Sequence, residues 1–292
     1  MTGPVTPYAG GPATEPAVPY AGGPAIVRAH CVLAPNPGPM TLDGTNTWVL
    51  AEPGSRRAVV VDPGPLGDVH LRAVLDHVEA SGRRVGLVLL THGHPDHADG
   101  AARFADMAGG VTVRSLDPGR GLGCEGLADG DVVVVDGLEV RVVGTPGHTS
   151  DSLSFLLAAD AAVLTGDTVL GRGTTVVAHP DGRLGDYLAS LDRLRMLAES
   201  AAVTTVLPGH GPVLVDALGA LEAYLRHRRA RLVQVEQALA AGARTARDVL
   251  EVVYADVDRA LWPAAERSVR AQLSFLRGSA PGRPTSRPVR SP

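Results

Sequence analysis

The 292-residue sequence predicts an α/β fold with mixed strand directions, followed by a small helical module. Three observations carry this prediction. Between residues 27 and 216, short β-branched runs alternate with amphipathic segments. Runs such as Gly86-Leu87-Val88-Leu89-Leu90 are apolar throughout, which suits strands buried on both faces beneath a cover of helices. Beyond His210 the strand candidates stop and helical periodicity takes over.

Taken in order, the first 26 residues are rich in Pro, Gly and Ala and repeat PYAGGPA at 7–13 and 19–25, so a disordered tail is expected over 1–26. Strands are expected at Ala58–Asp62, Val85–Leu90, Val111–Arg114, Asp131–Asp136, Leu138–Val143, Leu153–Leu157, Ala162–Leu164 and Thr204–Leu207. Asp136-Gly137 between two of these runs is a hairpin signal. Helices are expected at Leu66–Ala80, Asp99–Met107 and Asp186–Ser200, where apolar residues recur at three and four. The main unit thus spans 27–216 and the module 217–278, with module helices at Ala217–Ala240, Thr245–Val253 and Pro263–Leu276. Gly242 is placed to end the first, Thr245 with Asp248 to cap the second, and Pro263 to open the third. From 279 to 292 the chain returns to Pro, Gly and Arg, and a second disordered tail is expected.

Charge supports the division into two units. Residues 1–216 carry 14 Arg against 24 acids, net −10, and residues 217–292 carry 13 Arg against 7 acids, net +6. Every basic residue is arginine, so Schiff-base and lysine-nucleophile chemistry are excluded. Cys31 and Cys124 are too few for a disulfide framework, form no CxxC pair, and are read as reduced and non-catalytic. No apolar run approaches the roughly 20 residues of a membrane span, and the start has neither a basic nor an apolar signal region. A soluble, cytoplasmic protein without a membrane partner is expected.

The strongest chemical signal is Thr91-His92-Gly93-His94-Pro95-Asp96-His97, directly after the buried run ending at Leu90. Three histidines within six residues at a strand end have no packing rationale, and imidazole is the commonest metal ligand. His92 and His94 alternate to one side while Asp96 and His97 can turn toward a second point, which suits two adjacent metals. Three further residues stand in Gly-bearing loops after apolar strands: His148 in Thr145-Pro146-Gly147-His148, Asp167 in Thr165-Gly166-Asp167-Thr168, and His210 in Pro208-Gly209-His210-Gly211. Together the set offers five imidazoles and two carboxylates, enough for two divalent ions with a position left for water. Zn²⁺ is the expected metal, and the same donors accept Mn²⁺ or Fe²⁺.

With its HxHxDH motif, later His, GDT aspartate and final PGHG histidine in this order, the sequence resembles the metallo-β-lactamase superfamily. The resemblance implies a four-layer αββα sandwich with a dinuclear centre at its edge. It implies that His92, His94 and His148 bind the first metal, that Asp96, His97 and His210 bind the second, and that Asp167 bridges them. Asp62, in Val60-Val61-Asp62-Pro63-Gly64, matches the family position where a carboxylate buttresses a metal-bound histidine. Asp96 is then the carboxylate expected to orient the attacking hydroxide in catalysis. True metallo-β-lactamases carry Cys or Ser near the position of Asp167, so that residue resembles glyoxalase II and ribonuclease Z enzymes instead.

A narrower resemblance is to the β-lactamase-like protein 2 group, carried by Asn36-Pro37-Gly38-Pro39-Met40-Thr41-Leu42, Gly44-Thr45-Asn46-Thr47-Trp48, Leu184–Leu191, Arg228, Arg231 and Thr245–Leu250. That group carries a C-terminal winged-helix-like domain and is associated with endoribonuclease activity. The expected function is therefore a two-metal phosphodiesterase that cleaves single-stranded RNA by attack of metal-bound hydroxide. The alternative is a glyoxalase II-like hydrolase of small thioesters or esters. A DNA-binding regulator without activity is the third reading, and a retained ligand set argues against it.

Overall fold

The computed structural model describes residues 19–117, 119 and 126–279. Cys124, the first PYAGGPA copy and residues 280–292 lie outside them. Among the described residues two sheets face each other. The first runs in the order β1 (Gly23–Ile26), β2 (Ala29–Leu33), β3 (Asn46–Leu50), β4 (Arg57–Val61), β5 (Arg84–Leu89), β6 (Val113–Arg114). Its pairs are antiparallel as far as β4 and parallel from there. The second contains β7 (Val132–Val135), β8 (Leu138–Gly144), β9 (Leu153–Leu157), β10 (Ala162–Gly166) and β11 (Thr205–Pro208). It is antiparallel except where β10 meets β11.

Alternate side chains of each strand point to opposite faces, and here both faces are covered. Trp48, Leu50, Val59, Val61, Leu87 and Leu89 point inward to a core shared with the second sheet. Val49, Ala58, Val60, Val85 and Val88 point outward onto α1 (Asp68–Ala80) and α3 (Ala101–Met107). On the far side α4 (Leu184–Ser200) and the start of α5 (Ala217–Ala240) cover the second sheet through Leu191, Leu194, Leu221 and Tyr224. At roughly 1.5–3 kcal/mol for each buried Val or Leu, this two-sided burial explains the uninterrupted apolar runs. The result is the expected four-layer α/β arrangement.

The end of α5 packs with α6 (Ala246–Val253) and α7 (Trp262–Ser279) around Val235, Val249, Leu250, Val269 and Leu273, a separate small core. Thr245 and Asp248 form the expected reciprocal cap of α6. Asp136 and Gly137 adopt φ of 46° and 91° between antiparallel β7 and β8, the positive values that a tight hairpin requires. Among the described residues no helix is long and apolar enough to cross a membrane.

Two expectations need correction. The tail expected over 1–26 is not disordered throughout, because Gly23–Ile26 forms edge strand β1 on β2. Pro is tolerated on an edge strand, and Tyr20, Ala25 and Ile26 pack against the central core. The second copy of the repeat therefore ends in an edge strand in spite of its Gly and Pro. At the other end, helix α7 continues to Ser279, one residue into the expected tail. Strands β2 and β3 were not anticipated at all. Cys31, on β2, is buried and unpaired, and burial pushes its thiol up to about 12, away from nucleophilic use.

Candidate metal centre

Five strand ends deliver the candidate residues to one edge of the sandwich. Asp62 follows β4, the Thr91–His97 segment follows β5, His148 follows β8, Asp167 follows β10 and His210 follows β11. Main-chain bonds stitch the sheets together there: Leu153 N donates to Thr91 O at 2.7 Å and Asn46 N to Gly209 O at 2.8 Å. The buried Asn46 amide donates to both Pro208 O and Gly211 O at 2.9 Å. Pro95 opens α2 (Pro95–Ala98), a single turn that takes Asp96 and His97 away from the extended His94.

The structure gathers His92, His94, His148 and Asp167 into one group and Asp96, His97 and His210 into another, with the donor atoms of each within 4.8 Å. In the first group His94 Nδ1 lies 3.0 Å from His92 Nε2 and 3.0 Å from His148 Nε2. His148 already donates its Nδ1 proton to Val176 O at 2.7 Å. His92 Nδ1 lies 3.0 Å from the Thr91 hydroxyl, whose own proton goes to Asp62 at 2.6 Å. The Nε2 atoms of His92 and His148 are thus both lone pairs, converging with His94 on one point, an arrangement that a cation satisfies.

The second group repeats the logic. His97 donates Nδ1–H to Asp62 Oδ2 at 2.8 Å and His210 donates Nδ1–H to Gly44 O at 3.1 Å. Their Nε2 atoms, 3.3 Å apart, face Asp96 Oδ2 at 3.3 and 3.2 Å. Asp167 stands between the groups, with Oδ2 at 3.7 Å from His148 Nε2 and 3.3 Å from His210 Nε2. Its other oxygen is buried with no hydrogen-bond partner, an unmet acceptor that fits a metal ligand. The donor set and its geometry fit bound metal ions.

Electrostatics divide the site in the same way. Burial, with neighbouring charge on His97, holds His92 well below the usual imidazole pKa, and burial takes His148 to about 4. Burial also opposes charge on His97, yet Asp167, Asp96 and Asp62 raise its pKa well above the ordinary value. His210 rises to about 9, Asp167 outweighing burial. Against burial, His97 and His210 hold both Asp96 and Asp167 well below the usual carboxylate range. The second group is built for positive charge, whether it arrives as protons or as a metal.

Asp62 also falls within ligand distance of His92 and His97. Both its oxygens are already engaged, Oδ1 by Thr91 N at 2.8 Å and Oδ2 by Thr91 Oγ1 and His97 Nδ1, so it orients His97 from behind. Four supporting groups escaped the sequence reading. Thr45 donates to Asp96 at 3.0 Å while accepting from Asn36, and Thr175 touches His148 Nδ1 at 3.1 Å. Gly44 and Val176 act through their carbonyls, which leave no side-chain signature. Gly44 and Thr45 stood in a stretch singled out by resemblance, with no role attached to either.

Residues 40–117 and 126–210 match the Metallo-beta-lactamase superfamily. The chain belongs to that superfamily. Within the metallo-β-lactamase superfamily it is a hydrolase with a C-terminal unit of its own, because residues 245–277 match the Beta-lactamase associated winged helix domain. The chain is 31% identical to a Beta-lactamase-like protein 2 homolog of Caenorhabditis elegans, covering 84% of this chain and 82% of the relative. It is 33% identical to an Atrochrysone carboxyl ACP thioesterase of Aspergillus fumigatus, covering 76% and 72%. A solved Beta-lactamase domain protein from Burkholderia ambifaria shares the fold, with a TM-score of 0.74 at 22% identity over 90% of this chain and 91% of that one.

Proposed function

We propose that this metallo-β-lactamase-fold chain is a two-metal hydrolase of small carboxylic thioesters or esters. In this reading His92, His94 and His148 would hold one ion and Asp96, His97 and His210 the other, with Asp167 standing between the two groups. Zn²⁺ suits this nitrogen and oxygen donor set. The observation that carries the substrate class is a cavity of about 350 Å³ that opens on His148 and Asp167. Its size falls in the range of small-molecule pockets, and Leu42, Leu170, Val176 and Leu261 give it apolar walls. A fungal relative named as a thioesterase supports the same class.

When bound, the two ions supply a water-derived nucleophile near neutral pH and offset charge on the scissile carbonyl oxygen. Asp96, 27% exposed and ionised throughout the neutral range, can only accept; it orients the attacking water while Thr45 fixes its other contact. Apolar walls keep competing water from the acyl group.

Cleavage of single-stranded RNA is the second reading, favoured by the module's positive charge and by exposed Arg267 beside the site. Against it, three of the module's arginines, Arg226, Arg247 and Arg270, are each engaged by an acid one turn away. The deciding experiment assays purified, metal-analysed protein on S-lactoylglutathione, a butyryl thioester and labelled single-stranded RNA, alongside Asp167→Ala. Thioester turnover is expected, with metal and at least about a thousandfold of activity lost in the variant. RNA cleavage without thioester turnover would transfer the assignment to the second reading, and full activity in Asp167→Ala would overturn the two-metal site.

A further inference from the structure

The cavity beside the metal centre contains positive charge that hydrolysis itself does not use. Arg228, on α5, lines it at 4% exposure. One terminal nitrogen donates to Thr175 O and the guanidinium lies 5.0 Å over the Tyr187 ring. Nε is buried without a hydrogen-bond partner. Arg231, one turn further on, also lines the cavity; it donates to Val253 O and Gln234 and stacks 4.7 Å over Tyr254. Among the described residues no carboxylate lies within 4.0 Å of either arginine, whereas Arg172 in the same wall is paired with Asp43.

Asp167 is the one acid among the lining residues, and it belongs to the metal centre. The same wall adds His227, from which burial removes charge, and apart from Asp167 the lining supplies no anion to balance the two arginines. Burying a guanidinium without a counter-charge is unfavourable. An arrangement of this kind is completed by an anion from outside, and planar guanidinium groups match carboxylate and phosphate oxygens.

We propose that the cleft between α5, α7 and the loop at residues 170–176 is an anion-recognising substrate pocket, in which Arg228 and Arg231 receive a carboxylate or phosphate carried by the substrate while its acyl carbon lies at the metal centre. The proposal rests on the thioesterase reading and names its substrate class: acyl compounds with an apolar body and an anionic group remote from the scissile bond. The helical module thereby supplies specificity to a centre built wholly by the sandwich.

The test compares metal-loaded wild type, Arg231→Gln and Arg228→Lys on the glutaryl and pentanoyl thioesters of N-acetylcysteamine, which differ by one terminal carboxylate. The glutaryl-to-pentanoyl ratio of kcat/KM is expected to fall about tenfold or more in both variants, the effect of one charge-assisted contact. Arg244→Gln, on the exposed surface, keeps the wild-type ratio. Arg228→Lys keeps the charge but not the fork, and half-buried Arg231 keeps the test open if the buried position fails to fold. Calorimetry with glutarate and with inorganic phosphate needs no turnover: weaker binding in Arg231→Gln supports the pocket and identifies the anion, even where the pentanoyl thioester is not hydrolysed and the thioesterase reading fails. An unchanged ratio together with equal binding of both anions by wild type and Arg231→Gln would overturn the pocket.

Discussion

Asp62 turns a backbone conformation into ligand geometry. Its φ of 51° lies in the left-handed region that Asp tolerates better than most side chains. Leaving β4 in that conformation, its carboxylate accepts from both Thr91 and His97, which fixes the His97 tautomer with Nε2 toward the site. Asp62→Asn keeps the shape and loses the charge. Metal affinity, measured by competition with a chromophoric chelator, is expected to fall about 10- to 100-fold with the fold intact; an unchanged affinity would remove Asp62 from the site's support. His70 offers a pH test away from the metals. Burial lowers its pKa to about 4, and its ring contacts Thr47 at 2.9 Å. Below pH 6.5 the unfolded chain takes up a proton that the folded chain refuses until about 4. Its share of stability is therefore full above pH 6.5 and is lost as pH falls toward 4, with a slope of at most about 1.4 kcal/mol per pH unit. Denaturant melts at several pH values should show a shallower slope in His70→Gln, since His227 shares the direction of shift but remains in place.

At the scale of elements, the turn after β11 is packed directly against the candidate ligands. A Cβ on Gly209 would sit 2.5 Å from Asp167 Oδ1 and 2.8 Å from His97 Cε1. Gly209→Ala must move a candidate ligand or the turn, at a cost of about 1–3 kcal/mol; metal analysis should find less metal per chain than in the wild type while far-UV circular dichroism stays native. The same elements show what a sequence makes visible. Strands β4, β5 and β9 to β11 were legible because burial on both faces writes apolar runs, β7 and β8 because β-branched residues flank the Asp136-Gly137 turn, and the candidate ligands were legible because each follows such a strand. Strand β1 was hidden by its Gly and Pro, and β2 and β3 by the polar His30, Asn46 and Thr47 within them. The arginine-lined cleft had no local signature. Its Arg228–Thr175 contact joins residues 53 apart, and only the packing of α5 on the sandwich brings them together.

For the whole molecule, the candidate ligands come from the ends of β5, β8, β10 and β11, so bound ions would tie both sheets at one edge. Chelation is expected to lower the melting temperature by on the order of ten degrees, as follows from ligand linkage at about a thousandfold excess over Kd for a domain of this size. A shift that is absent in calorimetric scans would place the ions outside the fold's stabilising contacts. The charge asymmetry has a structural counterpart as well, since the acidic sandwich and the basic module have separate cores joined through helix α5 and through Ala271 and Phe275 of α7.

Helix α5 is a lever. Its 24 residues extend about 36 Å at 1.5 Å per residue. Leu221, Tyr224 and Leu225 anchor its root on the sandwich, while Val235 and Ala238 lie in the module core near its tip. A tilt of ten degrees at the root displaces the tip by about 6 Å, more than the length of an acyl C–C–C–C step. Residues such as Leu191 and Leu221, which line no part of the cavity, thus set how wide it stands. Substrate range in this hydrolase can drift through mutations that never touch a substrate.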